Sequence, residues 1–163
     1  MGTIVREFRA GFELSDKMLR SADEAVVIED MKMNNIDPLL APLKGADHRD
    51  LNGVQLDVVR AGNSRVKRVV YQPGFRWSTH MKPTTGTDLC MHAHVGFLAR
   101  GQIHIEYADG CKQEFAAPEV VVIDPGHDGW VVGGEAAVLI EFDFEGNTAS
   151  RLGMPPSHRH PKA

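Results

Sequence analysis

Cys90, His92 and His94 alternate in the run Thr87-Asp-Leu-Cys-Met-His-Ala-His-Val-Gly-Phe-Leu-Ala-Arg-Gly101, and His127 follows in Asp124-Pro-Gly-His-Asp-Gly-Trp130. Imidazole and thiolate bind borderline and soft divalent metals, at roughly 2.0–2.1 Å for nitrogen and about 2.3 Å for sulfur. In an extended strand, side chains two positions apart share a face, roughly 6.6 Å from one another. Cys90, His92 and His94 would then line one wall, with His127 arriving from a neighbouring strand. His92, His94 and His127 are the expected ligands of one divalent ion, and zinc, iron, nickel and manganese all suit the set. Cys90, Asp88 and His80, the last in Trp77-Ser-Thr-His80, are further candidates to complete it. No residue is assigned a catalytic role.

The elements that must position these side chains are strands. Short apolar or alternating runs recur after residue 50: Val54–Val58, Arg65–Tyr71, Phe75–His80, Leu89–Ala99, Ile103–Tyr107, Lys112–Phe115, Val120–Ile123, Gly129–Val132 and Ala136–Phe144. Gly62-Asn63, Pro73-Gly74, Ala108-Asp-Gly110 and Gly133-Gly134 punctuate them as turns. Even spacing of this kind indicates an all-β sandwich or barrel over residues 51–145. Residues 1–50 carry helix and strand signals in equal measure and form a mixed extension. Ile36, Leu39, Leu40 and Leu43 predict that this extension packs on the barrel. The polar, proline-flanked end at 146–163 reads as a frayed tail.

The motifs resemble the cupin superfamily over about residues 50–145. That family's first motif is Gly-x5-His-x-His-x3–4-Glu-x6-Gly, and Gly86-x5-His92-x-His94 matches its opening. Taking Gly101 as the closing glycine instead places the glutamate position on His94 and the histidine positions on Asp88 and Cys90. Neither register supplies the motif's acid. Glu119-Val-Val-Val-Ile-Asp-Pro-Gly126 resembles the second motif, whose histidine position falls on Gly129, two residues after His127. Trp77-Ser-Thr-His80-Met-Lys-Pro83, Cys90, His94-Val-Gly96 and Pro125-Gly-His127-Asp-Gly-Trp130 are together similar to a subgroup of small, uncharacterised cupins. The resemblance implies a double-stranded β-helix (jelly-roll) barrel, one bound divalent metal, a small-molecule ligand and a homodimer.

Composition narrows the partners. The 163 residues are 42% hydrophobic, enough for a core, and the net charge is −4. A mildly acidic balance gives no footprint for nucleic acid, and no run reaches the ~20 apolar residues of a membrane span. No apolar signal core opens the chain, and the two cysteines, Cys90 and Cys111, are expected to be free thiols in a reduced, cytoplasmic protein. The function expected is a metal-binding cupin that binds or acts on a small polar metabolite. The alternatives are a non-catalytic binding or sensing module without a functional metal, and a structural dimer whose site has decayed. His104 is expected to be solvated, Phe97 and Trp130 to lie in the core, and His158 and His160 to belong to the tail. Metal binding is expected to weaken as pH falls through about 6, the ordinary histidine range.

Overall fold

The computed structural model describes residues 37–160. The strands are β1 (Asp47–Leu51), β2 (Val54–Ala61), β3 (Ser64–Tyr71), β4 (His94–Arg100), β5 (Gln102–Tyr107), β6 (Lys112–Ala116), β7 (Glu119–Ile123), β8 (His127–Val131) and β9 (Ala137–Asp143). Among the described residues three single-turn helices accompany them: α1 (Trp77–His80), α2 (Lys82–Thr85) and α3 (Thr148–Arg151).

All pairings are antiparallel, in a six-stranded sheet ordered β1-β2-β3-β9-β4-β7 and a three-stranded sheet ordered β6-β5-β8. Arg76 bridges Trp130 of β8, and Val131 N–H donates to the Phe75 carbonyl at 3.0 Å, which adds a fourth row to the smaller sheet. The pairs nest about one hairpin: β5 with β6, β4 with β7, the Phe75–Arg76 segment with β8, and β3 with β9. This is a single long hairpin rolled into a jelly roll. Rolling covers one face of each sheet. The core between them holds Val69, Leu98, Ile103, Ile105, Val121, Ile123, Val131 and Leu139.

Close approach is specified at Gly96. A Cβ there would lie 2.0 Å from the Ile140 carbonyl oxygen, so β4 and β9 meet at this distance only because the side chain is absent. The β1–β2 connection is Asn52-Gly53, with φ of +50° and +83°. Both central residues have the positive φ that favours a two-residue hairpin.

Several sequence expectations are corrected. The barrel unit begins at Pro38, so residues 38–50 belong to it rather than to an extension. Within it Leu39 and Leu40 cover Val70 and Val138 on the outer face, and Arg68 donates to the carbonyls of Leu39 and Ala41 while pairing with Asp57. The expectation for residues 1–36 lies outside the described residues.

Phe75–His80 is not a strand. Extended structure stops at Arg76, and Met81 N–H closes a helical turn on the Trp77 carbonyl at 2.8 Å. Pro83 near the start of α2 fits its fixed φ to the next turn. Phe97 faces outward, 42% exposed, because the inward positions of β4 are His94, Gly96 and Leu98. His104 is buried rather than solvated: Trp130 stacks on it at 4.1 Å, and Glu114 lies 3.0 Å from its Nδ1. The segment after residue 145 is not frayed through residue 160, since Thr148 is buried and His158 N–H donates to the Pro125 carbonyl at 3.0 Å.

Candidate metal centre

Cys90, His92 and His94 do not share one strand. Cys90 pairs as an isolated bridge with His127, whose carbonyl accepts the Cys90 N–H at 2.7 Å, on the side of the smaller sheet. The chain then crosses at residues 91–93, and β4 begins at His94 opposite Ile123 in the larger sheet. The face-sharing rule holds along a strand, and this stretch is interrupted by a crossing. Cys90 and His94 nevertheless meet, because the two sheets close on each other there.

The result is two ligand sets that share His94. Cys90 Sγ lies 3.7 Å from His94 Nε2, and Cys90, His94 and His127 bring one donor atom each within 4.8 Å of one another. His92, His94 and Glu141 form the second set. His92 and His127 are thus not brought together in one set, although each joins His94, with ring centroids at 4.8 and 5.2 Å from it. His80 bonds the Arg76 backbone through Nδ1 and stacks on Phe75, and it belongs to neither set. Asp88 is 95% exposed and pairs with Lys82 at 3.0 Å. Asp128, the other acid near the motif, binds Arg76 and the Ser78 backbone and hydroxyl.

Sequence reasoning missed the acid beside the histidines, because it comes from β9. Glu141, 1% exposed, accepts from His94 Nδ1 and pairs with Lys67 Nζ at 2.8 Å. Lys67 also reaches Asp143 at 2.8 Å and His92 Nε2 at 3.1 Å, and Arg65 makes a two-pronged bond to Asp143 at 2.7 and 2.8 Å. A signal was available: Glu141 and Asp143 alternate on one strand, as do Arg65 and Lys67 on another. Opposite charges in matching alternation suit cross-strand pairing.

These charges set the environments of His94 and His92 apart. Burial works against a charge on His94, but Glu141 outweighs it and raises its pKa to about 10. Burial, with His94 and Lys67 alongside, pushes His92 down to about 3. Burial favours the Cys90 thiol, yet hydrogen bonds from His127 and His94 bring it down to about 6. Glu141 resists burial through the charges of His94 and Lys67 and stays well below the carboxylate range.

The donor set fits a metal. His127 Nδ1 lies 2.7 Å from the Asp124 carbonyl, and His94 Nδ1 is held by Glu141. Anchoring the far nitrogen to oxygen fixes ring orientation and leaves Nε2 for a metal, the usual support of a ligating imidazole. With a thiolate as third donor, the set favours zinc or another soft divalent ion. Beside it lies a cavity of ≈ 50 Å³ walled mostly by apolar side chains, among them Phe75, Trp77, Ile103 and Leu139.

A rolled hairpin of this strand order is a small jelly-roll barrel, and the histidines that open β4 and β8 converge inside it. No family model matches the sequence, and no curated protein matches it. Among solved structures the chain is similar to a cupin 2 conserved barrel domain protein from Salinispora arenicola, at 17% identity over 74% of this chain and 98% of that one, with TM-score 0.46. It is also similar to a cupin-like protein from Thermotoga maritima, at 20% identity over 66% and 80% with TM-score 0.44. A third is an RmlC-like cupin from Shewanella frigidimarina, at 14% identity over 63% and 86% with TM-score 0.43.

Proposed function

We propose that this cupin-fold protein holds one divalent ion on Cys90, His94 and His127, with the fourth position facing the cavity and a small-molecule ligand. The observation that carries the reading is the pair of anchored imidazoles, each tied at Nδ1 to an oxygen, whose rings converge with a buried cysteine. His94 and His127 orient the ion and Cys90 selects a soft one. The ion would supply Lewis acidity toward a polar group of the ligand. Tyr71, Phe75 and Trp77 exclude water and favour a ligand with an apolar body rather than a wholly polar metabolite. Glu141 takes the His94 proton interaction and Lys67 balances Glu141.

The second reading is a binding or sensing module that works without metal. It is favoured by the charge arrangement: His94 as an imidazolium lies between Glu141 and Cys90 and has partners on both sides. Titration of metal-stripped, untagged protein with zinc separates the two. Under the metal reading Cys90→Ser and His127→Ala each lose the barrel ion, while His92→Ala keeps it. Equal zinc binding by Cys90→Ser and the parent would leave the metal-free reading. We further propose a homodimer through the outer face of the larger sheet, where Phe97, Val120, Val122 and Phe142 are 42%, 69%, 53% and 55% exposed.

A further inference from the structure

The C-terminal segment places a second group of soft ligands at the β5–β6 hairpin, away from the barrel interior. The His158 ring stacks on Tyr107 with centroids 3.8 Å apart and planes at 15°, and its side chain is 14% exposed. Its Nδ1 lies 3.3 Å from Asp124 Oδ2. Its Nε2 is buried and has no hydrogen-bond partner, with Asp109 Oδ2 standing off at 4.0 Å. Cys111 Sγ and one nitrogen each of His158 and His160 lie within 4.8 Å of one another. His160 Nε2 is 3.1 Å from the same Asp109 oxygen, and Asp109 Oδ1 accepts the Cys111 N–H at 2.9 Å.

We propose that Cys111, His158 and His160 form a second metal site, selective for zinc, with an Asp109 oxygen as the fourth donor. A buried imidazole nitrogen without a partner is costly, and a ligated ion would satisfy it. Asp124 at the other nitrogen supplies the carboxylate support that ligating histidines carry. One sulfur, two nitrogens and one oxygen suit tetrahedral zinc, whose bond lengths set ligand atoms about 3.4–3.6 Å apart. Side-chain rotation covers the difference, and His160, 65% exposed, is free to make it. The ion would clamp the C-terminal segment onto the Asp124–Gly126 turn. That turn leads into β8, and its Asp124 carbonyl anchors His127. None of its ligands is shared with the barrel set, so the two proposals stand or fall separately.

The test uses the full-length, untagged chain, stripped with a chelator and titrated with zinc against a chromophoric competitor. Cys111→Ser and His158→Ala are each expected to lose one zinc equivalent, and His160→Ala to bind it more weakly. Cys90→Ser is expected to retain this equivalent. With cobalt in place of zinc, the thiolate absorption of the site should survive Cys90→Ser and vanish in a Cys90→Ser/Cys111→Ser double variant. Zinc should also slow tryptic cleavage after the exposed Arg159 in the parent but not in Cys111→Ser. His160→Ala, changed at an exposed position, keeps the test sound if His158→Ala folds poorly. Unchanged zinc stoichiometry and affinity in both Cys111→Ser and His160→Ala would overturn the site, as would zinc-independent cleavage at Arg159 in the parent.

Discussion

The inner face of β9 has two halves that are held together in opposite ways. At Ala137 and Leu139 it packs on Val69 and Leu98, and burial of apolar surface does the work. Two and four residues on, Glu141 and Asp143 are equally buried, but they are held by Lys67, Arg65 and His94. The apolar half gives the barrel its closure. The charged half costs desolvation and makes no comparable core. What it supplies is a fixed orientation for His94 at the boundary between the two. The site therefore lies where the packing changes kind.

The comparison is broken most severely at Glu141. Glu141→Ala leaves Lys67 buried without one of its acids and frees His94, and it should cost about 3–5 kcal/mol of stability by urea unfolding. Leu139→Ala, on the apolar half, should cost about 2–5 kcal/mol through the cavity it leaves. The two losses overlap in size, so pH distinguishes them. Folding holds Glu141 and Asp143 below the usual carboxylate range, so their contribution is full above the unfolded values and is lost as pH falls through the folded ones. His94 is raised to about 10, so its contribution is full below the ordinary 6.5 and is lost as pH rises toward 10. In metal-free protein, stability should therefore fall at both extremes. Glu141→Ala should flatten both limbs, whereas Leu139→Ala should lower the whole curve and keep its shape. A Glu141→Ala curve as steep as the parent's on both sides would remove the charged half from the explanation.

The same pair sharpens the metal reading. Because His94 carries its proton well above pH 7, zinc binding at neutral pH must displace it, and calorimetry in buffers of different ionisation enthalpy should register proton release. This replaces the sequence-based window near pH 6, which assumed an unperturbed histidine. The smallest effect is expected at Asp88, an exposed acid proposed from the motif register. Asp88→Asn should stay within about 0.5 kcal/mol of the parent and bind zinc equally.

Much of the barrel was legible because strands that face a core on one side alternate, and glycine and proline mark their ends. β3, β5, β7 and β9 fall within a residue or two of their sequence limits for this reason. β1 was missed although Asn52-Gly53 announces its hairpin, since all five of its residues are exposed and show no apolar pattern. For the candidate site, His94 was legible as a ligand type at a motif position, and His127 as one two residues before the motif's histidine position. The third donor was not settled, because alternation orders side chains only within one strand, and the chain changes sheets between Cys90 and His94. Glu141 was hidden for a different reason: it lies 47 residues from His94, and only the register of β9 on β4 brings them together.

The most direct test is metal content in a Cys111→Ser background, which removes the hairpin site, measured by elemental analysis on untagged protein with and without His94→Ala. The expected result is one ion per chain in the background and none after His94→Ala. An ion retained at full stoichiometry after His94→Ala would contradict a metal centre on Cys90, His94 and His127.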